Sequence, residues 1–166
     1  MRYLMFRLFV PVVLMFAAVR GRAEMTQAWI IESSDFQATI VSTNPTEKDS
    51  LVKEGWKIDG AGMIRTDWAT GAGALHRLSR KTDKGVERTL ETDARQLPVL
   101  EKAGYTDEGV VGFVADSDGP ERIPVIQFSK GTQRLWVISK ESQAKIQQEG
   151  WSRQGIHFWL WPVTAK

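Results

Sequence analysis

Short runs of alternating apolar and polar residues recur along the chain, separated by helix-length segments. Thr39–Thr43, Arg88–Thr92 and Arg134–Ile138 alternate with Val41, Leu90 and Trp136 at their third positions. Alternate residues of a strand face opposite ways, so this period of two predicts strands with one buried side. A strand precedes each of these segments, at Trp29–Ile31, Leu75–Leu78 and Pro124–Phe128. A longer one follows the helical segment, at Trp56–Ile64, Tyr105–Val114 and Trp151–Leu160.

The helical segments are marked at both ends. Asn44, Asp93 and Ser139 each stand 11 residues before a glycine, Gly55, Gly104 and Gly150. A short side-chain oxygen at the first position accepts from the free N–H groups of the first turn. A glycine at the last position takes the left-handed conformation that ends a helix. Pro45 suits a first helical position, and Glu47 and Gln96 have the capping-box spacing. Pro98 lies inside the second segment and predicts a late start or a kink there. Leu51, Leu100 and Ile146 share one offset and are expected to face the core. A large aromatic follows each terminal glycine, and a second glycine comes five residues later, at Gly60, Gly109 and Gly155.

These marks define three strand-strand-helix-strand units, at about 28–70, 74–118 and 123–163. A unit of this size cannot bury its own apolar face, so the three are expected to share a core. The predicted fold class is α+β, dominated by strands, with pseudo-threefold symmetry and a β-trefoil-like arrangement. The pattern of paired strand, cap, Glu at cap+3, Leu, Gly-Trp and Glu-Gly resembles bacterial secreted repeats, the domain of unknown function family 5648. Glu101, Gly104-Tyr105 and Asp107–Val110 carry it in the second copy; Pro124–Phe128 and Gly150-Trp151 carry it in the third. The resemblance spans about Ala28 to Pro162 and implies the fold more than an activity. Where the family often has His in the second strand, this chain has Thr39, Arg88 and Arg134.

Residues 1–23 read as a signal peptide. Arg2 and Arg7 precede a 12-residue apolar run, Leu8–Val19, which is short for a membrane span. Gly21-Arg22-Ala23 is a small-x-small cleavage site, so residues 24–166 are expected to form a single secreted or periplasmic domain. That segment holds four of the 22 basic residues and none of the 20 acidic ones. The remainder carries 18 basic and 20 acidic residues, a net charge of −2. This balance argues against nucleic acid as a partner. With no cysteine, neither disulfides nor a lipid-modified cysteine is available.

The catalytic inventory is thin. No nucleophile elbow, zinc-binding His pair or phosphate loop occurs, and His76 and His157 fall in different units. No cofactor or metal site is expected: Asp116-x-Asp118-Gly119 opens like a calcium loop, but the rest of that signature is missing. Arg77, Arg80, Lys81, Lys84 and Arg88 read as solvated charge along a hairpin, with an anionic-polymer patch as the sharper alternative. Glu108 shares its place with Asp59 and Gln154 and reads as a turn residue. Seven tryptophans all lie beyond residue 23. Trp56, Tyr105 and Trp151 share one offset and read as core contacts.

In the last strand Ile156, Phe158 and Leu160 suit an inner face, leaving His157, Trp159 and Trp161 as an outward row for ligand binding. Counted from the second glycine, Trp159 aligns with Ile64 and Phe113, and Trp161 with Thr66 and Ala115. The sequence thus predicts an exported, non-catalytic, monomeric binding module for carbohydrate or an envelope protein surface. The alternatives are a carboxylate-dependent hydrolase with an inter-repeat cleft, or a structural or inhibitory exported protein. Two carboxylates converging in one pocket would favour the hydrolase.

Overall fold

A computed structural model of the chain describes residues 24–35, 37–83 and 85–163. The signal peptide read at residues 1–23, and Lys84 of the basic hairpin, lie outside the described residues. The fold is α+β: a nine-stranded, mostly antiparallel open sheet with three short helices. Its elements in chain order are β1 (Met25–Glu32), β2 (Thr39–Ser42), α1 (Pro45–Lys53), β3 (Lys57–Arg65), β4 (Ala72–Thr82) and β5 (Gly85–Glu91). They continue with α2 (Leu97–Lys102), β6 (Thr106–Ala115), β7 (Ile123–Lys130), β8 (Gln133–Val137), α3 (Lys140–Gln148) and β9 (Ser152–Leu160). No helix among the described residues is long and apolar enough to cross a membrane.

The helices begin and end where their local chemistry directs. Asn44 Oδ1 accepts from the Thr46 and Glu47 N–H groups, Asp93 Oδ1 from Arg95 N–H, and Ser139 Oγ from Ser142 N–H. At the other end Gly55, Gly104 and Gly150 have φ of 93°, 88° and 85°. The following aromatic then turns its N–H back onto the last helical turn: Trp56 to Leu51 O, Tyr105 to Leu100 O, Trp151 to Ile146 O. In the second segment a 3-10 turn at Ala94–Gln96 precedes a six-residue α2. Pro98 sits in the first turn of α2, where its missing N–H breaks no helical bond. Ile146 is fully buried, whereas Leu51 and Leu100 are half-buried.

Strands β1, β4 and β7 each pair with both the strand that follows and the strand beyond the next helix. Three three-stranded groups result, and they meet along β3, β6 and β9. Arg65 faces Phe113, Ala115 faces Trp159, and Met63 and Trp161 exchange backbone hydrogen bonds of 2.8 and 3.0 Å. The strands approach closely there. A Cβ on Gly112 would lie 2.4 Å from Ile64 Cδ1, and one on Gly62 would lie 2.6 Å from Leu160 Cβ, so only glycine fits at either position.

Every strand contributes to one apolar core: Ala28 and Ile30, then Val41, Ile64, Leu75, Leu90, Val114, Val125 and Trp136, and finally Phe158 and Leu160. A second cluster under α3 joins Ile126, Phe128, Leu135, Val137, Ile146 and Trp151. Ile64, Val114 and Leu160 are all buried, four, five and five residues after Gly60, Gly109 and Gly155.

Candidate functional site

Asp59, Glu108 and Gln154, the residues before the second glycines, lie inside strands rather than in turns. On β1 and β3, Ile30 pairs with Gly60 and Ile31 with Ile58, so Asp59 is the extra residue of a bulge. Glu108 is extra between the pairs Arg77–Gly109 and Leu78–Asp107, and Gln154 between Gln127–Gly155 and Phe128–Arg153. A bulge re-aims its extra side chain off the regular alternation. Asp107 secures the second bulge, accepting from Gly109 N–H at 2.7 Å and lying 2.8 Å from His76 Nδ1.

Glu108 is thereby turned into a cleft of about 340 Å³ between the start of α1 and the β4–β6 pair. Ser42, Asn44 and Glu47 line one wall, and Arg77, Glu108 and Val110 line the other. Arg77 bridges the two. Its Nε donates to Glu108 Oε2 at 2.6 Å, and its Nη1 donates to both oxygens of Glu47 at 3.1 Å. Ser42 Oγ donates to Glu47 Oε2 and itself accepts from Asn44 N–H at 3.1 Å. Glu47 thus fails to close the capping box its spacing predicts, because Ser42 already satisfies the cap N–H and Arg77 draws the carboxylate into the cleft. Burial pushes the Glu108 carboxyl up, but the Ser79 hydrogen bond and the charge and hydrogen bond of Arg77 outweigh it and hold it below its ordinary value.

Two carboxylates do converge here, the condition that would favour a hydrolase. The Arg77 guanidinium stands between them. A glycosidase pair needs one carboxyl kept protonated as acid. Ser42 and Arg77 both donate to Glu47, and Arg77 donates to Glu108. Both act as hydrogen-bond acceptors.

A second cleft, of about 390 Å³, lies between the β4–β6 group and the β7–β9 group. Arg80, Thr89 and Tyr105 form one wall; Gln127, Arg134 and Gln154 form the other. Arg80 donates to Ala103 O at 2.9 Å and to Glu87 at 2.7 Å, and it covers the Tyr105 ring at 4.5 Å. Two members of the basic group, Arg77 and Arg80, are thus built into the clefts by their partners.

The C-terminal aromatic row is broken by a further bulge, between the pairs Val125–Phe158 and Ile126–Ile156. Ile156, expected inward, is 44% exposed. His157, expected outward, is half-buried, with its ring 6.0 Å from that of the fully buried Trp136 and its Nε2 buried without a partner. Burial lowers its pKa. Trp159 and Trp161 are half-buried, and the guanidinium of Arg122 lies 5.7 Å from the Trp161 ring centroid. The same Arg122 donates to Ser117 O in the Asp116–Gly119 turn. The structure does not bring these three side chains into either cleft lining. Trp68 is the most exposed of the large apolar side chains among the described residues, at 68%, and sequence spacing gave no sign of it.

Residues 33–161 match the family described as Domain of unknown function (DUF5648), and the chain belongs to that family. No curated protein and no solved structure matches it.

Proposed function

We propose that this chain is an exported, non-catalytic binding module whose ligand is a carbohydrate of the cell envelope or extracellular space, held in the first cleft. The observation that carries the reading is the Glu47–Arg77–Glu108 row. Its two carboxylates and one guanidinium are oriented by one another before any ligand arrives. Each carboxylate retains acceptor sites beyond those already used. Such a row suits the neighbouring hydroxyls of a sugar, and Val110, 48% exposed at the rim, offers an apolar surface for C–H groups. Preorganised polar groups give specificity in an otherwise ordinary cleft.

In this reading the module is monomeric and is built from three strand-strand-helix-strand units about a pseudo-threefold axis, in a β-trefoil-like arrangement. Supporting it are the three equivalent helix ends, the bulge before each second glycine, and the cyclic pairing of β3, β6 and β9. Export to the periplasm or beyond rests on the signal read at residues 1–23. Trp159 and Trp161 keep a secondary place as an edge contact for a longer glycan, since each indole is partly open to solvent. His157 would act there only by supporting its neighbours.

A glycan array and a peptidoglycan pull-down test the proposal. Wild-type protein is expected to retain a glycan that the Glu47→Gln/Glu108→Gln variant loses. Failure of the wild type to retain any carbohydrate would overturn it. Release of reducing ends from a retained glycan would instead establish the hydrolase reading.

A further inference from the structure

The second cleft differs from the first in charge. No carboxylate lines it, and two guanidiniums do, those of Arg80 and Arg134. Nearby Glu87 does not neutralise both. Its Oε2 is taken by Arg80, and its Oε1 accepts from the Tyr105 hydroxyl. Burial and the hydrogen bond to Glu87 push that phenol up to about 12, so it remains a donor at neutral pH. Arg80 is fixed at three points, by Ala103 O, by Glu87 and by the Tyr105 face.

Arg134 is the residue left over. It lies on β8 opposite Ser129, is half-buried, and among the described residues pairs with no carboxylate. It lines the cleft together with Gln127, Ser129 and Gln154. A half-buried guanidinium facing a polar cavity gives up hydration that an anion can replace. Around it stand neutral polar groups. Gln154 Nε2 donates to Ser129 Oγ at 2.7 Å and to Ser152 O at 3.2 Å, leaving its carbonyl oxygen to accept. The wall is also undersatisfied: Thr89 Oγ1 and Arg80 Nε have no hydrogen-bond partner.

We propose that the second cleft binds a small hydroxylated carboxylate, such as an acidic sugar, with its carboxylate on Arg134 and its hydroxyls on the Gln127–Gln154 side. A planar guanidinium pairs with a carboxylate through two parallel hydrogen bonds, which a neutral sugar cannot supply. The cavity, about 390 Å³, has room for one monosaccharide-sized ligand. The site is independent of the first cleft and stands whether or not that cleft binds neutral glycans.

The test is an NMR titration of the purified protein with D-glucuronate, D-glucose and acetate, following the side-chain N–H signals of Arg80, Arg134, Gln127 and Gln154. Glucuronate is expected to give saturable shifts confined to this cleft, while glucose gives none. Arg134→Gln is expected to weaken glucuronate at least tenfold, and Arg134→Lys to fall between, since it keeps the charge and loses the fork. Acetate is expected to bind at least tenfold more weakly, and acetate binding as tightly as glucuronate would overturn the part assigned to the hydroxyls. No saturable shift with glucuronate, an unchanged Kd in Arg134→Gln, or equal binding of glucose would each overturn the proposal.

Discussion

The junction between α1 and β6 is open, while the junction between α3 and β3 is sealed. At the sealed junction the bulged Asp59 accepts from the backbone N–H groups of Ile138 and Ser139, just ahead of α3. Gly60 beside it is so close that an added Cβ would stand 3.1 Å from Ile138 Cδ1. Glu32 on β1 adds a contact from below, accepting from Ser142 Oγ at 3.0 Å. At the open junction Ser42 already satisfies the cap N–H of Asn44. The bulged Glu108 is therefore released to meet Arg77, and no atom lies within 4 Å of where a Cβ on Gly109 would be. A third solution lies ahead of α2, where Glu91 accepts from Thr92 and Asp93 N–H groups of its own segment, at 2.9 Å each. The bulge carboxylate is structural where nothing else reaches the cap backbone. Where a local side chain does that work, the bulge residue is free and a cleft opens.

The largest expected effect is at Asp59. Asp59→Ala leaves two part-buried N–H groups without their charged acceptor, at a cost of about 2–3 kcal/mol. A fall in Tm of about 5–10 °C should follow. Glu108→Ala, which removes only a partly exposed ion pair, should cost under about 1 kcal/mol. Equal losses in the two variants, measured by thermal unfolding, would break the contrast between the junctions.

A smaller effect is expected at Gly60. Gly60→Ala should cost about 1 kcal/mol by crowding Ile138. In the Ile138→Val background, which removes Cδ1, part of that cost should disappear. Strict additivity in a denaturant-based double-mutant cycle would show that the two residues do not press on one another.

The smallest effect concerns His157, which lies two residues after Gly155 as Val111 of the open cleft lies two after Gly109. The folded pKa of His157 is lowered by burial below its ordinary 6.5. The unfolded chain therefore binds the proton more readily, and stability should be full above about pH 6.5 and decline as pH falls below it. His157→Val should flatten that part of the stability curve. An unchanged slope in the variant would place the titration elsewhere.

Local signals in the sequence located the helix ends well, because caps and left-handed glycines act through their own backbone. Asn44, Gly55 and their counterparts needed no knowledge of the rest of the chain. The bulges were not legible. A bulge is defined by the register of two strands, and Glu108 acquires its place from pairing with β4, about thirty residues earlier. The same limit hid the cleft: Arg77 read as a solvated hairpin charge because Glu47 and Glu108 lie 30 and 31 residues away. It also misdirected the reading of β9, where simple alternation put Ile156 inward and His157 outward and the extra residue undid both. Trp161 was read from its distance to Gly155, which carries no information about the strand it pairs with. Its backbone bonds to Met63 show that it closes the meeting line of β3, β6 and β9.

The most direct measurement is a binding curve for the best array-selected neutral glycan against the wild type and the Glu47→Gln/Glu108→Gln variant, with melting temperature and reducing-end release followed on the same samples. The expected result is saturable binding by the wild type, at least tenfold weaker binding by the variant, a melting temperature within a few degrees, and no release of reducing ends. Undiminished binding by the variant, or turnover of the glycan by the wild type, would contradict the assignment of the first cleft as a non-catalytic carbohydrate site.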